Sequence, residues 1–153
     1  MNWNVADLEQ ISKESEYIDT VVLPLVPITF GDEMKKNAST MEFVSVLTQQ
    51  IETQFKGRLL MLPNVTYLQE IGKEEKLHLL ESWTTAVQKL PFKHIMYVTS
   101  DPEWKESKDK LSGKLIWIPA IPLEDMDEKY KRSIMEDQVK SLLKIFIEVW
   151  QRT

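Results

Sequence analysis

Three carboxylates follow apolar runs in this chain: Asp32, Asp101 and Glu124. Converged at one place, they would offer oxygen ligands to magnesium or an acid/base pair. Carboxylates also belong at helix starts, where they meet the positive end of the helix dipole. Asp101-Pro102 has the form of an N-cap followed by proline at the first helical position, and Asp125 is placed to cap the last helix. Ser100 would be a nucleophile at a strand end. Its surroundings, Val98-Thr99-Ser100-Asp101-Pro102, lack both glycines of the Gly-x-Ser-x-Gly elbow. His78 and His94, the two histidines, have no His or Cys partner at ligand spacing and read as surface or boundary residues. The four glycines, Gly31, Gly57, Gly72 and Gly113, are scattered singly. No phosphate cradle or dinucleotide fingerprint is present, and no metal or cofactor is assigned. The residues carry no reaction signature and leave enzymatic activity open.

The elements that position these residues are set by four apolar runs. Val21–Ile28, Leu59–Pro63, His94–Asp101, which ends in small polar groups, and Leu115–Pro119 are too continuous for strands with one wet face. They predict strands buried on both faces of a parallel sheet. The first covers about Thr20 to Ile28, where Pro24 suggests a bulge or an edge and Pro27 the end of pairing. The second covers Arg58 to Leu62, with Val65 to Leu68 as a continuation. The third covers Lys93 to Thr99 and the fourth Lys114 to about Ile121.

Helices are predicted between them. The first runs from Val5 to Ser15 with Asn4 as cap. Ser39-Thr40-Met41-Glu42 has the form of a capping box opening the second, with Gly57 placed to end it in a left-handed conformation. The third starts after Gly72 and runs to Leu90, where Pro91 stops it. A short helix after Asp101 makes the crossover to the fourth strand. The last helix spans about Met126 to Gln151. Its apolar stripe is wide, which suits a helix wedged between the sheet and the first helix, or one that docks another chain. This alternation predicts an α/β three-layer sandwich over residues 1–153, one domain, with a four-stranded, mostly parallel sheet in the flavodoxin-like order 2-1-3-4.

Ligands of open parallel sheets sit beyond the C-terminal ends of the strands. The residues delivered there include Thr29, Asp32, Asn64, Ser100 and Asp101, which are the ligand-binding candidates. Of the five tryptophans, Trp83, Trp117 and Trp150 fall in apolar patterns and read as core, and Trp104, near the rim in a charged stretch, is the first candidate among them for an exposed aromatic anchor.

Composition bounds the function class. A chain of 153 residues buries roughly 70% of its unfolded surface and needs no staples. With no cysteine, disulfides, thiol catalysis and cysteine-ligated metals are excluded. The formal net charge of −5 disfavours nucleic acid as partner. No apolar run approaches the roughly 18 residues of a membrane span, and the first residues lack the form of a secretory signal.

Trp3, Asp7-Leu8, Glu16-Tyr17-Ile18-Asp19-Thr20, Leu23-Pro24-Leu25 and Val26-Pro27-Ile28 carry a resemblance. The chain resembles the YpiF-type family of Bacillus, whose members are of about this length. The resemblance implies a cytoplasmic protein and brings no catalytic residues with it. Two function classes follow. One is a non-enzymatic accessory or protein-interaction module, with a protein partner or self-association through the C-terminal helix. The other is a small-molecule-binding or hydrolase-like domain with its site at the strand ends.

Overall fold

A computed structural model describes residues 1–13 and 16–152. The strands are β1 (Thr20–Ile28), β2 (Leu59–Met61), β3 (Val65–Leu68), β4 (His94–Thr99) and β5 (Lys114–Trp117). The helices are α1 (Val5–Lys13), α2 (Met34–Gln54), α3 (Lys73–Val87) and α4 (Glu128–Gln151), with a 3₁₀ helix at Pro102–Lys110. The predicted end of the first helix at Ser15 lies outside the described residues.

All pairings in the sheet are parallel, in the order β2-β1-β4-β5, and β3 also pairs with β1. The sheet therefore has five strands rather than four, because the second run breaks at Leu62–Asn64. β5 stops at Trp117, short of the expected Ile121.

The prolines of β1 do not end it. Pro24 pairs in register with Val98, and Pro27 with Tyr67. In a parallel strand, the N–H and C=O of one residue point to the same side, and the side alternates along the chain. Val22 and Ile28 accept bonds from Leu62 and Gln69, so the even-numbered residues of β1 face β2 and β3. The donor that Pro24 lacks would point at the break between those strands. Pro27 turns toward β4 but lies beyond Leu25↔Thr99, its last pair. Each proline thus sits where a neighbouring strand asks for no donor.

Alternation along β1 feeds two cores. Val22 and Val26 pack with Phe43, Leu47 and Ile51 of α2 and Leu142 and Phe146 of α4. Val21, Leu23 and Leu25 pack on the other face with Leu80 of α3 and Trp104, and Leu8 and Ile11 of α1 join them. The predicted three-layer α/β sandwich is the architecture. However, α4 lies against α2, on the face opposite α1, and is not wedged against the first helix.

Local signals fared unevenly. Asn4 caps α1 as expected, accepting from the Asp7 N–H at 2.8 Å. Helix α2 starts at Met34, upstream of the capping-box sequence, and Ser39 instead donates to Glu124 at 2.9 Å. Gly57 has no left-handed backbone; Arg58 and Leu59 both donate to the Phe55 carbonyl and turn the chain. Asp127, not Asp125, caps α4. Gly113 is required at the start of β5, since a Cβ there would lie 2.4 Å from the Ile95 carbonyl.

The N-terminal end of the sheet is locked by charge. The Met1 ammonium meets Glu52 at 2.7 Å, both buried. Arg58 donates to both oxygens of Asp19 at 3.2 Å and lies 4.0 Å over the Trp150 ring. Trp150 in turn donates to Thr20 at 2.8 Å.

Candidate functional site

Two regions offer the side chains a function would need: the C-terminal rim of the sheet, and the groove between α2 and α4.

At the rim, Tyr67 closes β3 onto the end of β4. Its hydroxyl donates to Asp101 at 2.5 Å and accepts from the Trp104 indole at 2.8 Å. The two rings meet edge to face at 5.5 Å. Burial pushes the Tyr67 phenol well above its ordinary range, and the Asp101 carboxyl group beside it adds to the shift. Asp101 also accepts from the Glu103 N–H at 3.0 Å, so it caps the 3₁₀ helix as the sequence suggested. Thr99 donates to the Leu25 carbonyl and accepts from the Asp101 N–H. Trp104, the first candidate for an exposed anchor, is buried, because its indole fills the space beside Tyr67.

The five candidates go to separate places. Thr29 is buried and donates to Glu70, which holds that carboxyl below the usual range. Asp32 is exposed in the turn before α2. Asn64 donates to Ser45 of α2 at 3.2 Å. Ser100 and Asp101 are adjacent and buried, and the Ser100 hydroxyl has no partner among the described residues. No hydrogen bond joins two of the five among the described residues. Glu124 turns to Ser39, and among the described residues no group of three His, Cys, Asp or Glu could hold a metal ion. His94 is buried at the start of β4 rather than at the boundary, since β1 covers it; His78 is exposed.

Beside the rim lies a cleft of about 380 Å³ lined by Glu70, Lys73, Lys76, Glu103, Trp104 and Glu106. Its two lysines are already paired, and Glu70 accepts from Thr29. Lys76, whose side chain is buried, meets Glu103 at 2.6 Å and the Gln69 carbonyl at 2.9 Å. Lys73 meets Glu106 at 3.2 Å. Sequence reading missed Lys76 and Glu103, which sit on separate helices with nothing in their spacing to join them.

The groove differs in kind. It measures about 590 Å³ between Val46, Gln50 and Gln54 of α2 and Arg132, Glu136, Val139, Lys140 and Leu143 of α4. Val46 is 39% exposed and Ile147, one turn beyond Leu143, is 43% exposed. Arg132, Glu136, Lys140, Lys144 and Glu148 are exposed and unpaired among the described residues. Trp83, read as core, is also exposed, on α3 at the opposite face.

A parallel five-stranded sheet with helices on both faces defines a three-layer α/β protein. Residues 9–150 match the family described as "Protein of unknown function (DUF2487)", and the chain belongs to that family. It is 32% identical over 152 residues to the "Uncharacterized protein YpiF" of Bacillus subtilis (strain 168), covering 98% of each chain. No solved structure matches. Among the described residues, no helix is long and apolar enough to cross a membrane.

Proposed function

We propose that this chain is a non-enzymatic, cytoplasmic interaction module whose working surface is the α2/α4 groove. The observation that carries this reading is the apolar floor of that groove, Val46, Val139 and Leu143, bordered by Arg132, Glu136 and Lys140, which are unpaired among the described residues, and by the Lys131–Glu128 ion pair. Helical segments dock in such grooves by laying an apolar stripe on the floor and setting charges along the border. At the rim, by contrast, the polar groups bond mostly to one another, which leaves little for a substrate to exchange with.

The test is a photo-crosslinking amino acid placed at Gln50, in the groove, and at Asp32, at the rim, in living cells. Adducts from Gln50 that map to one polypeptide segment, and that disappear with Leu143→Glu, are expected. Equal adducts from Asp32, or none from Gln50, would refute the reading.

A second reading places a small-molecule site at the strand ends, among Thr29, Asp32, Asn64, Ser100 and Asp101. The unpartnered Ser100 hydroxyl favours it. A thermal-shift screen against metals and nucleotides tests it. A ligand present at 100 times its dissociation constant stabilises the chain by about 2.7 kcal/mol.

A further inference from the structure

The charges beside the groove follow an order that the fold does not use. Residues four apart on a helix form a ridge along its surface. On α4 one such ridge reads Arg132, Glu136, Lys140, Lys144, Glu148, in signs plus, minus, plus, plus, minus. All five side chains are exposed, and none is ion-paired within the described chain.

This order is antisymmetric about Lys140. Glu136 and Lys144 stand one step to either side with opposite signs, and so do Arg132 and Glu148 at two steps. A strictly alternating row would not behave this way, because residues equidistant from its centre carry the same sign. The consecutive pair Lys140 and Lys144 breaks the alternation and creates the antisymmetry.

An isologous two-fold contact brings the same surface of two copies together in opposite directions. Two α4 ridges packed antiparallel about Lys140 would set each Glu136 against the other copy's Lys144, whereas Arg132 and Glu148 stand about 80° to either side of Lys140 around the helix and flank the contact. The Glu136–Lys144 pair occurs twice. The neighbouring row supplies apolar contact in the same sense, with Leu143 and the exposed Ile147 beside the charges. One clash remains, since Lys140 meets its own copy at the axis.

We infer that the occupant of this face is a second copy of the chain, joined through antiparallel α4 ridges centred on Lys140. This rests on the groove reading above and names its partner.

The test is sedimentation equilibrium of the full chain over a wide concentration range, with charge-swapped variants. The wild-type chain is expected to dimerise, and added salt to weaken the dimer. Glu136→Lys alone and Lys144→Glu alone each turn two attractions into two repulsions, and should weaken the dimer about tenfold. The double variant restores opposite charges and should recover the wild-type constant. Lys140→Gln removes the clash at the axis and should tighten the dimer. A chain that stays monomeric at every concentration would overturn the inference, as would a dimer indifferent to the swaps. Gln50 adducts on a different polypeptide would then leave the groove reading standing, and their absence would remove both.

Discussion

The rim and the groove hold similar side chains in opposite states. At the rim, Tyr67, Asp101, Trp104 and Lys76 are buried and bonded, each to a partner brought by another element. Along the groove, Arg132, Glu136, Lys140 and Lys144 are exposed and unpaired among the described residues. A buried polar group without its partner costs far more than an exposed one, so the rim holds the fold together. The groove charges can be changed at little cost to the fold. In this chain the C-terminal rim of the sheet is bonded into the fold, whereas charges that are exposed and unpaired among the described residues lie on a helical face.

That contrast can be broken by substitution. Trp104→Ala should have the largest effect, about 3–5 kcal/mol of lost stability in urea unfolding, since it empties a buried site between Tyr67 and the helix. A small loss would mean that the rim is loosely held and open to ligands. Tyr67→Phe keeps the ring but strands the Trp104 N–H and one bond of Asp101, at a cost of about 1–3 kcal/mol.

Alkaline titration sharpens the same point. Burial raises the phenols of both Tyr67 and Tyr97 above the ordinary value of 10.0, so the folded chain keeps these protons where the unfolded chain releases them. Their contribution to stability is complete below pH 10.0 and is lost as pH rises beyond it. The urea midpoint should therefore fall above that pH, and the fall should shrink in Tyr67→Phe. The smallest effect belongs to the groove. Lys144→Glu should change the stability of the dilute chain by no more than about 0.5 kcal/mol, the usual range for an exposed site.

How much of this was legible in the sequence depends on distance along the chain. The unbroken apolar runs declared a parallel sheet because burial on both faces leaves no polar alternation. Asn4 and Asp101 were readable as caps because a cap bonds two or three residues away. The irregularity that Pro24 suggested lies in the neighbouring strands and not in β1: three residues, Leu62–Asn64, stand opposite Leu23 and Pro24 where β2 gives way to β3, about forty residues downstream. Asp127 prevailed over Asp125 through a local difference of two residues, finer than composition resolves. At the rim, Asp101 was visible as a strand-end residue, and Tyr67 lies near the end of the predicted Val65–Leu68 continuation. Their bond spans 34 positions, and only the pairing of β3 and β4 with β1 brings them together. The charge order along α4 stands in the sequence, but it acquires meaning only once the fold shows that row exposed and unpaired.

The most direct test of the contrast is amide NMR of the full chain, comparing dilute with concentrated solution. Concentration-dependent shifts should gather on Val46, Lys140, Leu143 and Ile147, while Tyr67, Ser100, Asp101 and Trp104 stay fixed. Shifts centred on the rim, or none along α4 at any concentration, would contradict the account.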